Sequence, residues 1–111
     1  LNAESKGLEK LKPDAPAREF VKAVRGYFKE KGLLEYTAYT PLHGCGLAEA
    51  ESPYPDEDSE TIFKAGMTVN PDVSLHGTPY GSNRVEESLA ITQSGLRPLS
   101  NYIRSLCNEW L

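Results

Sequence analysis

Ten residues in the last third of the chain constrain the fold most. From Asn83 to Thr92 the side chains alternate, with Val85, Glu87, Leu89 and Ile91 on one side and Glu86, Ser88 and Ala90 on the other. A period of two is that of a strand half-buried in a sheet. The spacing predicts one strand over 83–92, a hairpin turn at Ser94-Gly95 and a returning strand over Leu96 to Leu99. Upstream the period changes. Phe20, Val21, Val24 and Phe28 recur at helical spacing, so residues 15–31 read as an amphipathic helix that stops at Gly32. Asp14 is its expected N-cap, and Pro16 falls in the first turn, where a missing N–H costs little. Leu1 to Lys12 reads as the closing part of an earlier helix, broken at Lys12-Pro13-Asp14. Helices thus come first and strands follow.

Between helix and strands lies Pro41-Leu42-His43-Gly44-Cys45-Gly46-Leu47. Glycine lets the backbone approach a neighbour closely, and a histidine held in such a turn presents one ring nitrogen in a fixed direction. That suits a metal or a reacting group; a glycine-rich turn around a half-buried histidine is the simpler alternative. Leu33 to Thr40, with Tyr36, Thr37, Tyr39 and Thr40, is expected to be a short strand leading into the turn. Glu49 to Glu60 is rich in Pro, Asp, Glu and Ser and predicts a loop, its Asp56-Glu57-Asp58 run solvated. Thr61 to Leu75 holds a turn at Gly66 and a strand containing Met67, Val69, Val73 and Leu75. His76 to Gly81 is a turn-rich connection, with His76 given no role. Ser100 is expected to cap a final helix carrying Tyr102, Ile103, Leu106 and Trp110.

The 111 residues, 39% hydrophobic and 25% charged, suit one small globular domain. No apolar run approaches the roughly 20 residues of a membrane helix, so no membrane association is expected. Residues 1–32 carry a net charge of +3 and residues 33–111 a net charge of −7. No basic patch is interleaved with aromatics, which argues against nucleic acid. Two cysteines far apart, Cys45 and Cys107, make no disulfide framework, and a reducing, cytoplasmic compartment is the expectation.

Four stretches occur in a telling order: His43-Gly44-Cys45-Gly46-Leu47, Glu51-Ser52-Pro53, Gly66-Met67-Thr68-Val69-Asn70-Pro71 and Arg84-Val85-Glu86-Glu87-Ser88. Together they resemble the C-terminal half of the pita-bread metallohydrolases, which include methionine aminopeptidases, Xaa-Pro aminopeptidases, prolidases and creatinases. The corresponding patterns are HGIGL, HExP, GMxxTxEP and RxED, and the resemblance spans about residues 10–100. It implies an α+β fold, part of a pita-bread fold, with a curved and mostly antiparallel sheet and helices on its outer face. Residues 1–111 would then be a single partial domain, the C-terminal half of a catalytic domain whose other half lies upstream. An exposed apolar face would make the chain a homo-oligomer (a dimer) or pair it with the missing N-terminal half. The family also has a helix over 15–31, preceded by a Lys-Pro-Gly turn in which this chain has Asp14 for the glycine.

The resemblance further implies hydrolysis of a small peptide or small-molecule amide by water activated between two divalent metal ions (Mn, Co, Zn or Fe). Carried over residue by residue, His43 and Glu86 match metal ligands. Glu51 is left as a catalytic candidate, in a supporting or proton-handling role. The departures are as definite. Asn70 stands where the pattern has a ligand glutamate, Ala50 stands where it has a second histidine, and nothing upstream matches two further aspartates. Asp72 lies two residues from Asn70 and faces the same side of a strand. Two functions stay open: a metal-dependent hydrolase of the Xaa-Pro peptidase and creatinase type, and a divergent member without the dinuclear site. The latter would bind one metal, do lyase-like or other chemistry, or bind a ligand or partner without catalysis, and this chain could then hold no metal. A stand-alone α+β binding module is a third, plainer reading.

Overall fold

A computed structural model describes residues 1–102, 105 and 106. Two helices, α1 (Asn2–Leu8) and α2 (Ala17–Glu30), precede strands β1 (Leu42–Gly44), β2 (Thr68–Thr78), β3 (Gly81–Glu86), β4 (Leu89–Thr92) and β5 (Gly95–Pro98). Phe20, Val24 and Phe28 lie one turn apart on α2 and are buried together with Leu42, Phe63, Val69, Val73, Leu89 and Ile91. Helix α1 lies close on α2 because Gly7 has no side chain: a Cβ there would sit 2.6 Å from Phe20 Cε2. The fold is therefore α+β as expected, an antiparallel sheet with helices packed on its apolar face.

Strand β2 is the spine. On one edge β1 pairs with it, setting Leu42 opposite Pro71, His43 opposite Asn70 and Gly44 opposite Val69. On the other edge β3 pairs from Asp72↔Glu86 to Leu75↔Asn83, and β4 pairs at Val69↔Leu89 and Thr68↔Ala90. The register is the same on both sides of the gap, so residues 83–92 form one ladder interrupted at Glu87-Ser88 rather than the single strand expected. The reason is Pro71, which the register sets opposite Glu87. It has no N–H to give to the ladder, and the surviving bond is Glu87 N–H to Pro71 O at 3.3 Å.

Other expectations are corrected. Leu33 to Thr40 is not a strand: Leu34–Tyr36 is a 3-10 turn, and the strand is Leu42–Gly44, so His43 sits in a strand and not in a glycine turn. Strand β2 runs on through His76 to Thr78, so the connection before β3 is only Pro79-Tyr80. Thr92 pairs with Gly95, which places the hairpin turn at Gln93-Ser94. Asp14 does not cap α2. Pro16 holds that position, and Asp14 has φ 62°, the left-handed conformation that glycine would take most easily. Gly32 ends α2 as expected, with φ 68°. Ser100 Oγ accepts the Tyr102 N–H at 3.2 Å, while Ile103, Trp110 and Cys107 lie outside the described residues. No helix of the described residues is long and apolar enough to cross a membrane.

Candidate metal centre

The register that builds the sheet also builds the site. His43 faces Asn70 across β1–β2, Asp72 lies two residues along β2, and Glu86 faces Asp72 from β3. Directly opposed and i, i+2 residues share a face of a sheet. Arg84 lies two residues before Glu86, so it joins them. One side of β2 thus carries Val69, Val73 and Leu75 toward the helices, and the other carries a polar constellation.

That constellation is largely withdrawn from water. His43 and Asn70 are each 5% exposed and Asp72 3%. His43 Nδ1 lies 2.9 Å from its neighbour's carbonyl, Gly44 O. A carbonyl only accepts, so Nδ1 is the donor there and Nε2 is the ring nitrogen turned to the site. Nε2 points at Glu86 Oε1, 3.4 Å away. Asn70 Nδ2 donates to the same Oε1 at 3.2 Å, while Asn70 Oδ1 is buried with no hydrogen-bond partner. Arg84 grips Asp72 with two bonds, Nε to Oδ1 at 2.8 Å and Nη2 to Oδ2 at 3.0 Å. Its Nη2 also meets Glu86 Oε2 at 2.8 Å and Glu49 Oε1 at 3.8 Å. The hydrogen bonds that Arg84 donates to Asp72 hold its guanidinium above its already high ordinary pKa.

Glu49, Asn70, Glu86, Glu87, Ser88, Leu99 and Ser100 line an open cleft of about 420 Å³ beside these groups. Tyr54 flanks the histidine, its ring centre 6.3 Å from that of His43. Donor atoms of His43, Glu49 and Glu86 lie within 4.8 Å of one another, and among the described residues they are the group able to hold a metal ion.

The structure thus brings the two ligand candidates, His43 and Glu86, together. Glu51 takes another place. Its backbone N–H bonds Gly44 O at 3.0 Å, and its carboxylate accepts the Ala48 N–H at 3.2 Å and packs on Gly46, outside that donor group. His76 bonds Ser74 Oγ at 3.2 Å along β2. Sequence reasoning missed Glu49 and the Arg84–Asp72 grip. The second was within reach, since Arg84 and Glu86 share strand parity. Glu49 lies in a loop, where no periodicity reports direction.

Known proteins share the sequence pattern and the architecture of this chain. The sequence pattern of metallopeptidase family M24 matches residues 1–93. The chain is 30% identical over 106 residues to a Xaa-Pro dipeptidase of Pyrococcus furiosus, covering 96% of this chain and 30% of that protein. The solved prolidase of Pyrococcus horikoshii OT3 superposes with a TM-score of 0.81 at 30% identity, over 88% of this chain and 28% of that one. A methionine aminopeptidase from Rickettsia prowazekii, 19% identical, shares the fold with a TM-score of 0.67 over 87% of this chain and 48% of its own. The chain thus spans less than a third of the length of the dipeptidase and prolidase it matches. It has the pita-bread type of architecture, and it belongs to metallopeptidase family M24.

Proposed function

We propose that this chain supplies part of the active centre of a metal-dependent peptidase acting on a small peptide, with a dipeptide ending in proline as the first substrate to try. The observation that carries this is Nε2 of the buried His43 facing the Glu86 carboxylate at 3.4 Å. An imidazole and carboxylates fit a divalent cation such as Mn, Co, Zn or Fe. Such an ion, when bound, lowers the pKa of water and polarises a carbonyl. The protein's own part is to fix direction. The Gly44 carbonyl fixes the His43 tautomer, and Asn70 and Arg84 hold the two oxygens of Glu86. Glu51 we assign to supporting the loop through Ala48 and Gly46.

The family and the relatives' names support the peptidase reading. With this chain matching under a third of their length, we further propose that it is the C-terminal half of a catalytic domain, working in the cytoplasm and paired with a second copy or with the N-terminal half. Cys45, a free thiol, is compatible with a reducing compartment. A second reading is favoured by Asn70 and Ala50: a divergent member without the dinuclear site. The test is release of proline from a dipeptide, with metal content measured by elemental analysis. Metal lost together with activity in His43→Ala supports the peptidase. A folded protein with no metal above background refutes it and leaves the second reading.

A further inference from the structure

We propose that Asp72 is a positioning residue: acting through Arg84, it sets the direction of the Glu86 carboxylate and leaves that carboxylate its charge. This rests on the metal reading above and adds to it a residue that touches neither an ion nor a substrate. Asp72 is 3% exposed, the most buried acidic side chain among the described residues. A carboxylate withdrawn from water is costly unless it is both paired and hydrogen-bonded. Arg84 does both, donating from Nε to Oδ1 at 2.8 Å and from Nη2 to Oδ2 at 3.0 Å. Two parallel bonds to one carboxylate fix the plane of a guanidinium. Arg84 is nearly half exposed, and its other contacts reach single oxygens, Glu86 Oε2 at 2.8 Å and Glu49 Oε1 at 3.8 Å. Its direction therefore comes from Asp72.

Strand register makes the linkage. Asp72 lies opposite Glu86 and Ser74 opposite Arg84, so Arg84 reaches diagonally to Asp72 and stands beside Glu86 on its own strand. One nitrogen, Nη2, meets both Asp72 Oδ2 and Glu86 Oε2. That contact turns Oε2 toward Arg84, and Oε1 is left to accept from Asn70 Nδ2 at 3.2 Å and to face His43 Nε2 at 3.4 Å. Each carboxylate oxygen has two lone pairs, so these contacts orient Glu86 without closing it to a cation. Charge follows the same path. A lone guanidinium would pair with Glu86 and repel an arriving cation. Bound to Asp72 it is neutralised, and Glu86 and Glu49 keep their negative charge for the cleft that they line. Removing the Asp72 charge thus has two effects of one sign: Arg84 loses its direction, and its whole charge falls on Glu86.

Co²⁺ titrated into the intact protein tests this, because its visible absorption bands follow the geometry of its ligands. Asp72→Asn is expected to weaken binding at least about tenfold, the lower end for residues that support metal ligands, and to change the bands at saturation. Phe20→Leu, which trims a buried ring on the helix side, is expected to lower stability and to leave affinity and bands as they are. Unchanged affinity and bands in Asp72→Asn overturn the role of Asp72 and leave the metal reading standing. Weaker binding in Asp72→Asn with unchanged bands shows an effect on charge or stability alone and overturns the positioning role. If Asp72→Asn does not fold, Arg84→Lys decides: it keeps a charge beside Asp72 but not the two-bonded fork, and unchanged bands there overturn the proposal. No Co²⁺ bound by the unmodified protein overturns the metal reading, and the proposal with it.

Discussion

Replacing Gly44 by alanine is expected to destabilise the chain by about 2–3 kcal/mol, while the same change at Gly26 is expected to stabilise it. Gly44 ends β1 and lies against the loop that carries Glu51. A Cβ at Gly44 would lie 2.8 Å from Ser52 C and 2.9 Å from Glu51 O, and closer still to Ser52 O. Carbon contacts are comfortable at about 3.5–4.0 Å, so the loop backbone must retreat by about 1 Å. Forcing extra volume into a packed site costs about 1–3 kcal/mol. The retreat also strains the bonds from Glu51 N–H to Gly44 O at 3.0 Å and from Gly44 N–H to Pro53 O at 2.8 Å, each worth about 1 kcal/mol. Backbone conformation plays no part, because Gly44 is not among the positive-φ glycines. At Gly26, inside α2, a Cβ meets nothing within 4 Å, and alanine gains about 0.5–1 kcal/mol in a helix interior. Urea unfolding followed by circular dichroism separates the two as midpoint shifts of opposite sign at constant m. If Gly44→Ala unfolds at the unmodified midpoint, the loop does not lie against β1 and the argument fails.

Further outcomes are expected. Arg84→Met leaves the buried Asp72 carboxylate without its two bonds and is expected to cost about 1–3 kcal/mol, below a fully buried pair because Arg84 is nearly half exposed. A double-mutant cycle with Asp72→Asn should show coupling above about 0.5 kcal/mol, and additive effects would count against the grip. Phe20→Ala removes a fully buried ring at the α1–α2 contact and should cost about 3–5 kcal/mol by chemical denaturation. Lys64→Ala, despite the 2.7 Å pair with Asp14, should cost under about 1 kcal/mol because both groups are mostly exposed; a larger loss in the same assay would show that pair to be structural.

Local pattern determined much of this protein. Helical spacing of Phe20, Val24 and Phe28 was enough to find α2, and Gly32 to end it, because a helix answers to residues three and four apart. Alternation over 83–92 found the ladder that carries Glu86, and the order of four short motifs paired Glu86 with His43. What spacing cannot report is which chain segment lies opposite. Pro71 interrupts the ladder only because the register sets it against Glu87. His43 is fixed by a strand of three residues, too short for any period to show. The Arg84–Asp72 grip and the approach of Glu49 to Glu86 depend on strand register and loop closure, which arise when the apolar face of the sheet closes on the helices. Periodicity fixes which face a side chain occupies; distance between faces, and so the chemistry of the site, is decided by the tertiary fold.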